Sequence, residues 1–130
     1  MPADRRYPEP FTPEACAILT ACAYGQPIDD EARDRFTEAA DVAWFDARHT
    51  RYFSVPQGAY LDFIEGREDA RATLYHLSDK DVLEVVAIHL CEEPHDRLAP
   101  EAHAEWSRRL RELACAALVC VSAAEQRERA

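Results

Sequence analysis

From Ala15 to Tyr24 nearly every position is apolar, and helix signals frame the run. Thr12 is suited to cap, Pro13 fits the first helical position, and Glu14 favours the positive end of the dipole. Gly25 can adopt the left-handed stop that ends a helix. The pattern predicts a central helix over 13–24, since a helix apolar on most sides must be covered by others. A second helix is predicted from near Asp29 to near Arg48. Asp29, Asp30 and Glu31 crowd its first turn. Ala32, Phe36, Ala39, Ala40, Ala43 and Ala47 recur at three and four, giving it one buried face.

The middle of the chain holds four short runs rich in aromatic or β-branched residues: Tyr52–Val55, Ala59–Ile64, Ala72–Leu77 and Val82–Leu90. They are separated by Pro56-Gln57-Gly58, by Gly66 to Asp69 and by Ser78 to Asp81. Ala59, Leu61 and Phe63 alternate with Tyr60, Asp62 and Ile64, as a half-buried strand requires. Val82, Val85, Val86 and Ile88 favour extended backbone. These features predict an antiparallel meander. A helical reading competes with it. Ser78-Asp79-Lys80-Asp81 resembles an N-terminal capping box, and Leu83, Val86, Ala87 and Leu90 then form a helix stripe. Residues 67–77 could likewise form one helix.

The last element is predicted as a helix from Pro100 to about Ala124. Trp106, Leu110, Leu113, Ala117 and Val121 make its core stripe, and Arg108, Arg109, Arg111 and Glu112 its wet side. From Leu113 to Ala123 it is apolar on every side, so helix one or a second copy of the chain must cover it. The expected fold is therefore α+β: two N-terminal helices, a small antiparallel meander and a long C-terminal helix. The alternative is an all-α bundle of about six helices. Residues 1–10 are expected to be a flexible tail, 11–126 one globular domain and 127–130 a frayed end.

Charge changes the picture more than any motif. The chain carries 25 Asp plus Glu against 15 Lys plus Arg, a net charge of −10. Its apolar fraction of 48% is that of a folded domain, so disorder does not account for the acid. A dense negative field repels nucleic acid and anionic membrane surfaces and attracts basic partners. No run approaches the ~20 apolar residues of a membrane span, and the N-terminal residues lack a signal-peptide core. The expected compartment is the cytoplasm. Cys16, Cys22, Cys91, Cys115 and Cys120 are then expected as reduced thiols, mostly small buried hydrophobes, and not a disulfide framework.

Three constellations carry candidate chemistry. His89, Cys91, His95 and His103, with Glu92, Glu93 and Asp96, are the densest set of potential metal ligands, but their spacing matches no established site. The simpler expectation is a charged loop with His89 packed against an aromatic residue; no cofactor or metal is expected. Asp46 and His49 are helical neighbours that could orient one another for acid–base work, yet no glycine-framed nucleophile accompanies them. The third is an acidic row. Asp30, Asp34, Glu38 and Asp41 lie on one helical face at about 6 Å spacing, a pattern able to imitate a nucleic-acid backbone or fit a basic groove. Phosphate-loop motifs and a basic stripe for direct nucleic-acid binding are absent.

The leading expectation is a small acidic protein that binds and neutralises or masks a basic protein or a nucleic-acid-binding complex. Immunity proteins, antitoxins and nuclease inhibitors share this physical profile. Its contact residues would be Asp30, Asp34, Glu38, Asp41, Trp44, Tyr60, Glu92, Glu93 and Asp96, with Tyr75 as a further aromatic anchor. A metal-dependent or acid–base enzyme built on residues 89–103 is the first alternative. A homodimer through the C-terminal helix is the second.

Overall fold

Side-chain caps and left-handed glycines punctuate the chain. Helix α1 (Pro13–Tyr24) starts where the Thr12 hydroxyl accepts from the Ala15 N–H at 3.2 Å. It ends at Gly25, with φ 65°, where the Gln26 N–H reaches back to the Ala21 carbonyl at 2.8 Å. The Asp29 carboxylate accepts from Ala32 N–H at 3.1 Å and opens α2, helical over 30–38. Helix α3 (Val55–Ile64) is followed by Gly66 at φ 76°. Asp69 caps α4 (Ala70–Tyr75), accepting from Ala72 N–H at 2.7 Å. Ser78 caps α5 (Asp79–Cys91), accepting from Asp81 N–H at 3.2 Å. Helix α6 (Pro100–Arg129) runs five residues beyond the end predicted from its apolar stripe. The computed structural model describes residues 10–38, 55–94 and 99–129.

The fold is all-α. Among the described residues there are six helices and no strand, so the expected meander, and with it the α+β class, is wrong. The stated alternative, a bundle of about six helices, is what forms. Ala59–Ile64 lies in α3, Ala72–Leu77 begins in α4, and Val82–Leu90 lies in α5. Within Tyr52–Val55 only Val55 is described, and it opens α3. The physical reason is visible in the burial. Gln57, Tyr60 and Phe63 recur every three residues on the covered face of α3, whereas a strand would have buried alternate positions. In α5, Val82, Val85, Val86, His89 and Leu90 form a covered stripe of the same kind. The cost of β-branching in a helix is a few tenths of a kcal/mol per residue, less than about 1 kcal/mol from one good cap and far less than burial of the stripe.

Helix α6 is the spine, with α1, α4 and α5 packed against it and α3 laid across α4 and α5. Helices α5 and α6 run antiparallel. Asp79, in the first turn of α5, pairs with Arg127 near the end of α6 at 3.2 Å, while His89, near the end of α5, meets Trp106 in the first half of α6. The core contains Phe11, Leu19, Leu74, Val85, Val86 and Leu113, each 1% exposed or less. Four alanines of α6, Ala114, Ala116, Ala117 and Ala124, are also buried and let the neighbouring backbones approach closely. On the open side of α6, Val119 remains 50% exposed.

Two stability outcomes follow. Leu113→Ala removes a fully buried side chain of α6 and should cost about 2–5 kcal/mol in urea denaturation, whereas Val119→Ala should stay within about 0.5 kcal/mol. The Thr73 hydroxyl of α4 is buried without a hydrogen-bond partner among the described residues. Thr73→Val keeps the shape and removes the stranded oxygen, so it should leave stability unchanged or raise it by up to about 1 kcal/mol in the same assay.

Candidate functional site

Helix α2 carries two arginines that face opposite flanks. Arg35 reaches α1, donating through Nε and a terminal nitrogen to the Glu14 carboxylate at 3.0 and 2.9 Å. The pair holds the Glu14 carboxyl below its ordinary range, the hydrogen bond from Arg35 being the main cause. Arg33 reaches α5 instead. Its guanidinium donates to the Leu90 carbonyl at 3.1 Å and pairs with Glu93, just beyond the end of α5. A third tie is the Cys91 thiol, which donates to the Thr37 carbonyl at 3.7 Å. Together these contacts set α2 against α1 on one side and the end of α5 on the other.

Between α2 and the end of α5 lies an open cleft of about 460 Å³. Asp30, Asp34 and Thr37 line one wall, Leu90, Cys91 and Glu93 the other, and Arg33 spans them. Asp30, Asp34 and Glu38 are exposed, and none makes an ion pair with another described residue. The acidic helix row and the acidic turn after α5, which are 60 residues apart at Arg33 and Glu93, therefore border one cavity. A second cleft of about 260 Å³ shares Arg33 and Leu90 with the first. Its walls are more apolar and include Cys22, Ile28, Trp106 and Leu110.

Next to Leu90, which lines both clefts, is a buried histidine. His89 is 2% exposed. Its Nε2 is 2.9 Å from the Trp106 carbonyl, which only accepts, so Nε2 carries the proton. Nδ1 is then bare and accepts from the Tyr60 hydroxyl at 3.1 Å. The Trp106 indole N–H donates in return to the His89 carbonyl at 2.9 Å. The imidazole stacks on the indole, centroids 5.5 Å apart, and meets the Tyr60 ring edge-on at 5.6 Å. Burial pushes the His89 pKa down and that of Tyr60 up.

Several residues singled out from the sequence stand elsewhere than expected. Tyr60, expected as a surface anchor, is only 4% exposed and spends its hydroxyl on His89, so it offers nothing to a partner. Tyr75 is 79% exposed. Glu92 faces solvent, Glu93 is half-buried in the cleft wall, and His103 is half-buried in the first turn of α6. Asp41, Trp44, Asp46, His49, His95 and Asp96 lie outside the described residues. Both ring nitrogens of His89 are engaged inside the protein. Cys91, two residues on, points about 200° away around the helix, so the two cannot share a ligand. Among the described residues no three His, Cys, Asp or Glu side chains are grouped to hold a metal. No described helix is long and apolar enough to cross a membrane. No protein-family model, curated protein or solved structure matches the chain.

Arg33 and Trp106 are the residues that sequence reasoning left out of the site. The signal for Arg33 was its position on α2, at the edge between the apolar Ala32–Phe36 flank and the Asp30–Asp34 row. Trp106 carried none, since a tryptophan at core spacing reads as packing alone.

The cysteines differ sharply in reach. Burial raises the thiol pKa of Cys16 and of Cys22 to about 11 each, while Cys115 is exposed. Titration of the native protein with a thiol-reactive disulfide near pH 8 should therefore label Cys115 first, and Cys16 and Cys22 only when the chain unfolds.

Proposed function

We propose that this chain is a small cytoplasmic binding protein that neutralises or masks a basic macromolecular partner by charge and shape. The single observation that carries the reading is a cleft whose α2 wall bears Asp30 and Asp34, both exposed and neither in an ion pair with another described residue, while Arg33 and Glu93 neutralise one another across it. A basic side chain of a partner can enter this concave surface. The neighbouring apolar cleft over Trp106 and Leu110 supports the reading, because affinity comes chiefly from desolvated apolar anchors while charge sets the encounter rate. The net charge of −10 agrees in sign. The partner is then a basic protein, or the protein part of a nucleic-acid-binding complex whose groove normally receives phosphates.

The test compares three immobilised proteins against extract of the native host: wild type, Asp30→Lys/Asp34→Lys, and Glu101→Lys/Glu128→Lys. The last makes the same charge change at exposed positions of α6 away from both clefts. Wild type and the α6 variant should retain the same basic protein, released by salt, and the cleft variant should lose it. With the purified partner, the association rate should fall at least about tenfold for the cleft variant and should drop as salt rises. Equal behaviour of the two variants, or an association rate indifferent to salt, overturns the reading.

A further inference from the structure

The Tyr60–His89–Trp106 chain is a closed set of bonds joining three helices, and one titratable atom sits at its centre. Tyr60 comes from α3, His89 from α5 and Trp106 from α6. Every polar hydrogen in the chain has one acceptor as long as Nδ1 is bare. A proton taken from solvent onto Nδ1 changes that. Tyr60 can then only accept from Nδ1, which leaves its own hydroxyl hydrogen without the acceptor it had, and a cation is enclosed where solvent does not reach. The charged groups around the ring offer little relief. On α6, Arg109 lies on the same side, donating to the Phe63 carbonyl at 2.9 Å, and its positive charge opposes a second cation. On α3, Tyr60 is a neutral phenol held so by burial. Glu92, capping α5, is exposed to solvent. On α2, the Arg33 guanidinium occupies the next carbonyl, that of Leu90.

We propose that His89 is an acid-operated latch: protonation of Nδ1 reverses the Tyr60 bond and encloses a cation among α3, α5 and α6, which loosens the end of α5 from α3 and α6. The elements it loosens are those that border the clefts. Leu90, next to His89, lines both cavities, and Trp106 lines the second. Opening the latch therefore reshapes both, whatever occupies them.

The pH direction follows from linkage. Burial is the main cause of the depressed His89 pKa, and it lies below the ordinary value of 6.5. The unfolded or released chain binds the proton more readily than the latched one. The stabilisation is complete above about pH 6.5 and is lost as pH falls below it toward the latched value. The experiment is an NMR titration of the wild-type protein from about pH 8 to about pH 4, spanning the histidine range. It follows the His89 ring carbons and the Trp106 indole N–H, the group that donates to the His89 carbonyl. Both should shift as one-proton transitions with the same midpoint, below 6.5. In His89→Gln the side-chain amide donates to Trp106, accepts from Tyr60 and does not titrate, so the Trp106 transition should vanish. His76→Gln, on an exposed residue, should leave it in place. A Trp106 transition that persists in His89→Gln overturns the latch. So does a His89 ring that titrates at or above 6.5, or one that titrates without moving Trp106. Should His89→Gln fail to fold, the coincidence or separation of the two wild-type midpoints decides the matter alone.

Discussion

The structure depends on one constraint: the apolar stripe of α6 has to be covered along most of its length. A helix of 30 residues is about 45 Å long, more than one short neighbour can shield. Leu110, Leu113, Ala117, Val121 and Ala124 take three partners, α1, α4 and α5, and each partner brings a stripe of its own. Burying a leucine such as Leu113 contributes on the order of 1.5–3 kcal/mol, so the stripe as a whole outweighs any local preference of the segments that cover it. This is why the β-branched run of α5 is helical. Its residues are needed at three- and four-residue spacing against a cylinder, and alternate spacing would present half of them to water.

The demand of α6 also separates what was legible in the sequence from what was not. The first and last helices could be read because their signals were redundant. Thr12, Pro13 and Gly25 agree with the apolar run between them, and in α6 the stripe alone is long enough to define a period. The middle was misread because its runs are short, and over six to nine residues the two periods overlap. The deciding residues were polar. Asp69 and Ser78 are turn residues in a meander and caps in a bundle, and the sequence contains them equally in both readings. What separates the readings is the three-dimensional demand of α6, which no local window contains. The site divides the same way. The acids of α2 were visible as a row, but the meeting of that row with Glu93 depends on Arg33, whose target is a backbone carbonyl. Backbone targets leave no trace in side-chain patterns.

Tyr60 shows how a composition-based guess about anchors fails. An aromatic residue reads as a binding anchor, yet a phenol also packs in an apolar core and from there donates one hydrogen bond to an imidazole. His89 needed that donor because its other nitrogen was committed to Trp106. Burying the histidine without both partners would cost about 1–3 kcal/mol for each stranded nitrogen, so the two aromatic residues and the histidine belong together as one polar unit within the core.

The arginines explain where the surplus of acid remains exposed. Four of them act as pins between helices: Arg33 to α5, Arg35 to α1, Arg109 to the end of α3 and Arg127 to the start of α5. Others are spent locally, Arg108 between Glu105 and Glu112 of its own helix and Arg67 beside Asp62 and Glu65. Each pin neutralises the acid beside it, so a carboxylate near a helix junction contributes little to the outer field. Asp30, Asp34 and Glu38 lie on the face of α2 that both arginines leave, and they keep their charge open to solvent. The negative field is thus shaped in part by the fold itself: several cations are drawn to the seams between helices, and on α2 the acid between two such seams is left uncompensated among the described residues.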